Sequence, residues 1–405
     1  MSPITRLHYD DALLLGFEAT VVAHASAPPA VPGGPRLPSV VLDRSAFYPE
    51  SGGQMADRGT LGALAVADVQ VDDAGLVHHV LEGGALPPVG ATVEGRIDRA
   101  RRRAHMALHT GQHMLSRALE DLAGAKTVSS RLGESGCTID TDRDAVDEAA
   151  VARAEDLVNS VIDDDVVVRS FFPTDEELRT LPLRRAPKVT ERIRVVMVGD
   201  FDVTPCGGTH CLRSAQVGLL KVTAIERYKG KARVVFTAGS RARRELGEKA
   251  DFVRDLGREL TSGPQDIRAA IDRLRRELTE TKEALGDARA RLAEAIAVEL
   301  AGEAAASGRA VAVLAEASAD LLRAVAARVT AVRPEAVVFL AGGGAEALPV
   351  MVARGAASRF DCGAFLKRAA AAAGGRGGGR PEHAQGQVPK GTDWPALVAS
   401  IAPPV

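Results

Sequence analysis

The sequence predicts an α+β fold in several parts, and three features carry that reading. Short strand-like runs broken by Gly and Pro fill residues 1–96. An amphipathic helix followed by alternating segments opens at about residue 97. Further on, a long helical seam gives way to a strand–helix–strand pattern. The expected organisation is a β-barrel-like module over 1–96 and a helix packed on an antiparallel sheet over 97–238. An antiparallel helical hairpin over 239–304 and a small α/β domain over 305–405 complete it.

In the first part FEATVVAHA, SVVLD, LAVADVQV, LVHHVLE and TVEGRID read as strands at the spacing of a small barrel or sandwich. In RRRAHMALHTGQHMLSRALEDL the apolar residues Met106, Leu108, Leu115, Ala118, Leu119 and Leu122 recur at near-helical spacing. Lys126 to Asp140 alternates like a strand pair turning at Gly133. Residues 146–162 and 174–181 read as helices, and 164–171, 193–198, 218–225 and 232–237 as strands. From Ile267 to Leu292 apolar or small residues step alternately by four and three, the a/d pattern of a helical seam. The turn Ser262-Gly263-Pro264 would let the preceding helix fold back on it. Ala310–Leu314, Ala319–Val329 and Ala336–Ala341 then read as strand, helix and strand.

Composition narrows the function classes. Of 405 residues 46% are apolar and 26% charged, which excludes a wholly disordered chain. Aromatic residues are only 3%, too few for recognition built mainly on stacking. The formal net charge of -2 hides a segregation, because residues 341–405 carry seven Lys/Arg against four acids, leaving that end at +3 and the rest at -5. Four cysteines are too few for a disulfide framework. No window offers the ~18 uninterrupted apolar residues of a membrane helix, and the N-terminus lacks a signal pattern. A cytoplasmic protein without membrane contact is expected.

The sharpest chemical signal is His109-Thr-Gly-Gln-His113, two imidazoles at i and i+4 on one helix face. Unlike the zinc-protease motif, this one has no glutamate next to its first histidine, and Gln112 cannot act as that general base, so a protease is disfavoured. Far along the chain comes Cys206-Gly-Gly-Thr-His210, a Cys and a His joined by a pliable Gly-Gly. Three imidazoles and one thiolate suit tetrahedral zinc, about one ion per chain. His105 continues the helical series backwards and is read as structural, while Cys211, Cys137 and Cys362 read as buried small side chains. Thr127 and Ser129 sit at i and i+2 of a predicted strand, where both hydroxyls would face one pocket.

FYPESGGQMADRG (47–59), HMALHTGQHML (105–115), TVSSRLGESGCTID (127–140), LPLRRAPKV (181–189) and TPCGGTH (204–210) together resemble the editing domain of alanyl-tRNA synthetase and its freestanding relatives, the AlaX-type editing proteins. GGRGGGRPEHAQG (374–386) is similar to the glycine-rich signature of the DHH-associated domain that ends that synthetase. The order of motifs matches the long freestanding form. The resemblance does not include the aminoacylation domain, so ligation of alanine is not expected.

The resemblance implies a trans-editing hydrolase that removes a wrong amino acid, serine first and glycine second, from tRNA(Ala). It implies His109, His113, Cys206 and His210 as zinc ligands and catalytic residues, and Thr127, with Ser129 beside it, as the residue that meets the serine hydroxyl. Gly52, Gly53 and Gln54 would approach the terminal adenosine or the amino acid. Arg376 and Arg380, in a Gly-rich stretch that would present backbone N–H groups, would contact tRNA, unless the stretch is a plain flexible loop. The hairpin or the C-terminal domain would support a homodimer. Two other readings stay open: a zinc-structured tRNA-binding protein without chemistry, and an editing hydrolase for another aminoacyl-tRNA.

Overall fold

The computed structural model describes residues 4–30, 33–134, 136–187 and 189–402; Ser135 and Lys188, in two of the motifs above, lie outside these. The chain forms two compact units, Met1–Asp255 and Leu256–Val405. Both are mixed α+β, and among the described residues no helix is long and apolar enough to cross a membrane.

In the first unit six strands close into a barrel, in the order Gly16–Ser26, Pro38–Leu42, Val77–Glu82, Leu64–Val71, Gly59–Leu61 and Thr92–Ile97. Period-2 patterning selects the inward face. In Thr92–Ile97, Val93, Gly95 and Ile97 are buried while Thr92, Glu94 and Arg96 face out. Val21, Val40, Leu42, Phe47, Val66 and Val69 fill the interior, and closure leaves no unpaired barrel edge.

Helix α1 (Arg99–Ala123) leaves the barrel directly. Asp98 caps it by accepting from the Ala100 and Arg101 N–H groups, and Gly124 ends it in the left-handed conformation. Arg102, 1% exposed, fastens this helix to the barrel module. Its Nε donates to both oxygens of the buried Asp57, at 3.1 and 3.0 Å, and its terminal nitrogens donate to the Ala12 and Ala46 carbonyls. Asp57 also accepts from the Tyr48 N–H.

A four-stranded antiparallel sheet runs Leu220–Tyr228, Lys231–Ala238, Cys137–Thr141, Thr127–Leu132. Met106, Leu108, Leu115 and Leu119 of α1 join Ile139 and Phe236 of the sheet and Val158 of α2 (Glu148–Asp163) in one core. A smaller sheet of Val168–Phe171, Val195–Val198 and Asp202–Pro205 leads into the Cys206 loop. Between its first two strands lies α3 (Asp175–Thr180), held by a reciprocal Thr174/Glu177 capping box. α4 (Gly239–Glu259) follows, and the boundary between units falls within it.

α5 (Ile267–Ser307) lies in the second unit, which starts at Leu256 within α4. Here the expected buried seam is corrected: Leu274, Leu278, Leu285 and Leu292 are 50, 55, 48 and 48% exposed. Only its C-terminal stretch, with Ala293, Ala297, Leu300, Ala301 and Ala304, enters the core of its unit, against α6 (Ala319–Val332) and the sheet. That five-stranded sheet runs Arg309–Val313, Val337–Ala341, Ala347–Arg354, His383–Pro389, Arg376–Gly379, with α7 (Cys362–Ala373) and α8 (Trp394–Ile401) completing the unit. Within the GGRGGGR stretch, Arg376–Gly379 pairs antiparallel with His383–Pro389 as the edge strand, so the alternative of a plain flexible loop does not hold there. Arg376 and Arg380 are exposed on and just after that edge.

Candidate metal centre

Helix α1 carries His109 and His113 on one face, and the loop after Asp202–Pro205 carries Cys206 and His210 to the same point. One ligand atom from each of the four lies within 4.8 Å of all the others. Cys206 Sγ is 3.4 Å from Nε2 of both His109 and His210. The three rings are 1–3% exposed, and their centroids lie 4.3–5.0 Å apart.

Each imidazole is oriented from behind. His109 Nδ1 donates to Gln54 Oε1 at 2.7 Å, His210 Nδ1 is 3.2 Å from Thr110 Oγ1, and His113 Nδ1 faces Asp202 Oδ2 at 3.3 Å. All three therefore hold Nδ1 away and leave Nε2 for the centre, the arrangement metal-binding histidines require. Asp202 is itself pinned by Arg184 and by the Thr204 hydroxyl. Burial opposes its ionisation, but contact with His113 and Arg184 brings its carboxyl down to about 2.

Burial lowers His109 and takes His210 down to about 3. Burial opposes charge on His113 as well, yet the Cys206 thiolate and Asp202 raise it overall. Burial also opposes the Cys206 thiolate, and the three imidazoles outweigh it, so the thiol falls well below its usual range. A thiolate among imidazoles with free Nε2 atoms is a donor set that fits a tetrahedral, nitrogen- and sulfur-loving cation.

Gly208 lets the loop close on the helix. A Cβ there would stand 2.1 Å from His109 Cε1 and 3.0 Å from Gln54 Oε1. Gly53 plays a similar part on the other side, where φ is +87° and a Cβ would stand 2.3 Å from the Ser130 carbonyl oxygen.

A cavity of about 530 Å³ opens beside the cluster, lined in part by His109, Cys206, Gly52, Gly53, Val128, Ser129 and Ser130. Two expected site residues lie elsewhere. Gln54 is fully buried; besides His109 it accepts from the Thr209 N–H and donates to the Thr209 hydroxyl. It does not line the cavity, and it orients the His109 ring. Thr127 donates to Ser116 Oγ on α1 at 2.7 Å and does not line the cavity. The cause is a bulge: Asp140 pairs with Ser129 but Thr141 pairs with Thr127, so an extra residue breaks the i, i+2 parity. Ser129 stays at the cavity, its hydroxyl donating to Asp140.

His105 is buried beside the cluster without joining it, and burial lowers it to about 4. Cys211, Cys137 and Cys362 are buried, with burial pushing their thiols up to about 11, 11 and 12. Sequence reasoning missed Thr110 and Asp202. Thr110 lies next to His109 on a helix otherwise read for its apolar and histidine positions, and a threonine there carries no separate signal.

If Gln54 holds the His109 ring in place, Gln54→Leu should weaken metal binding by about 10–100-fold while the protein stays folded. Competition against a chromophoric chelator measures this, and unchanged affinity would count against the role.

Three family models match the chain. They are tRNA synthetases class II (A) over residues 26–101, the threonyl and alanyl tRNA synthetase second additional domain over 193–235, and the DHHA1 domain over 307–402. The fold and site are thus those of a tRNA synthetase-related protein, and the second of these matches holds Cys206 and His210. Among curated relatives, the alanyl-tRNA editing protein AlaX-L of Pyrococcus horikoshii is 33% identical over 67% of this chain and 66% of its own length. The alanine–tRNA ligase of Ignicoccus hospitalis is 31% identical over 72% of this chain and 32% of the ligase. That of Halorubrum lacusprofundi is 32% identical over 95% of this chain and 42% of the ligase. The chain belongs to the family of long-form alanyl-tRNA editing proteins, and it spans under two thirds of the length of each of these relatives. The C-Ala domain from Aquifex aeolicus alanyl-tRNA synthetase matches 23% of this chain and 85% of that domain, at 21% identity and a TM-score of 0.21.

Proposed function

We propose that this protein hydrolyses the ester joining a wrong amino acid to tRNA(Ala), serine first and glycine second, with one zinc ion held by His109, His113, Cys206 and His210. The observation that carries this reading is the buried three-imidazole, one-thiolate cluster at the wall of a cavity, in a chain of the alanyl-tRNA editing family. The chemical need is general. A pocket shaped for alanine cannot strongly reject a side chain that adds a hydroxyl or lacks a methyl, so a second site must cut the mistakes.

Bound to these four residues, zinc would supply a Lewis acid that binds and orients the aminoacyl end. The chain's own contribution is placement. Gln54, Thr110 and Asp202 hold the imidazoles, and Arg194 donates to the Cys206 and Gly208 carbonyls and so holds the loop. Gly52, Gly53 and Ser129 line the cavity where the amino acid would lie. Arg376 and Arg380 in the second unit would add RNA affinity without touching the chemistry.

A second reading has one observation in its favour: four protein ligands complete a tetrahedron, the pattern of structural zinc. One panel separates the two. Purified protein is incubated with Ser-, Gly-, Ala- and Thr-tRNA, alongside the Cys206→Ala and Thr127→Val variants, and residual acylation is read. Clearance of Ser-tRNA(Ala) with Ala-tRNA(Ala) spared, lost in Cys206→Ala, is expected. Thr127→Val should slow serine and glycine removal equally, because its hydroxyl supports Ser116 instead of facing the cavity. RNA that binds but keeps its ester would hand the case to the binding-protein reading, and preferred clearance of another charged tRNA would change the substrate.

A further inference from the structure

One wall of the cavity beside the metal cluster is basic. Arg6, Arg185, Arg192 and Arg194 all line it, and no carboxylate among the described residues does. Acids outnumber bases in the chain, 53 to 51, so a four-arginine wall free of acids is a local arrangement and not a reflection of composition.

Two of the four are committed internally. Arg194 is 6% exposed and spends Nη1 on the Cys206 and Gly208 carbonyls, at 3.0 and 2.8 Å. Arg6 donates to the Tyr9 hydroxyl at 3.0 Å, and the Tyr9 ring lies 5.7 Å from the Arg6 guanidinium and 5.4 Å from that of Arg194. The other two are available. Arg185 and Arg192 are exposed, and neither pairs with a carboxylate among the described residues. Arg185 reaches only the Pro205 carbonyl, at 3.4 Å, and Arg192 lies 5.5 Å from the Phe172 ring.

Exposed guanidinium forks facing a cavity, with no acid to neutralise them, match the geometry of phosphate oxygens. His109 and Cys206 line the same cavity, so an anion held by these forks lies next to the metal ligands. An aminoacyl ester is neutral at its acyl carbon, and the nearest negative charges in an RNA are the phosphodiesters just upstream of it.

We propose that Arg185 and Arg192 hold the last phosphodiester groups of the RNA 3′ end and thereby set the terminal ester beside His109 and Cys206. This rests on the editing reading above, but it is tested without any chemistry. The probe is a deacylated RNA hairpin with a short single-stranded 3′ tail, compared with the same hairpin cut blunt, over a series of salt concentrations. Arg185→Ala/Arg192→Ala should lose affinity for the tailed hairpin by roughly tenfold, and the slope of log affinity against log salt should become shallower by about 1.4. The blunt hairpin should bind both proteins alike, and Arg185→Lys/Arg192→Lys should keep most of the slope. Equal losses on tailed and blunt RNA, or an unchanged salt slope, would overturn the proposal. A wild-type protein that fails to cut any ester would sink the editing reading and leave this comparison readable.

Discussion

Protein purified without chelator should carry about one zinc ion per chain, and the His109→Ala/His113→Ala variant almost none. The expectation follows from the way the four donors are held. Three imidazoles are turned so that Nε2 faces Cys206, and the fourth donor is a thiol whose proton the surrounding rings have already made easy to lose. Removing two of four ligands leaves a thiolate and one imidazole in a buried space, too few to retain the ion. Ester cleavage should fall on the order of a thousandfold, since a Lewis acid contributes several kcal/mol to such a step. Metal analysis and a single-turnover deacylation assay read the two effects separately. Full zinc content in the double variant would refute the assignment, whatever the activity.

The second large effect concerns stability. Arg102→Met should destabilise the first unit by about 3–5 kcal/mol, because it strands the Asp57 carboxylate in an interior with no counter-charge. In a unit of this size that corresponds to a fall in melting temperature of roughly 6–20 °C. The double variant Arg102→Met/Asp57→Leu should recover much of the loss, because it removes both charges together. A single variant that melts with the wild type would show that the pair does not fasten α1 to the barrel.

Much of the site could be read from spacing. His109 and His113 are one helical turn apart, and Cys206 and His210 are close enough in sequence to be seen as a pair. What orients them could not be read this way. Gln54 lies 55 positions from the histidine it holds, and Thr110 lies 100 from His210. Only the fold brings them together. Thr127 was misread for a local reason, since the i, i+2 rule holds in a regular strand and fails where Thr141 skips a partner. The Asp202–Pro205 strand is short and polar at its start, so no periodicity announces it. The glycine-rich segment at the C-terminal end lacks the β-branched residues that mark strands, yet pairs as one. The arginine wall draws on residues near the N-terminus and on residues near 190, and no sequence window contains both.

The strand Thr127–Leu132 lies at the edge of its sheet, and its Val128–Ser130 stretch borders the cavity beside the metal cluster. An edge strand leaves N–H and C=O groups unpaired on its open side, so a ligand in this cavity could meet peptide groups, which are common to every amino acid. Alanine scanning across this stretch would report little, however much the contact matters. Two kinds of change would reveal it: a proline, which deletes an N–H, and a one-residue deletion, which turns each following residue to the opposite face. On the proposed editing function, a wall of this kind would tolerate point substitution and be sensitive to changes in length.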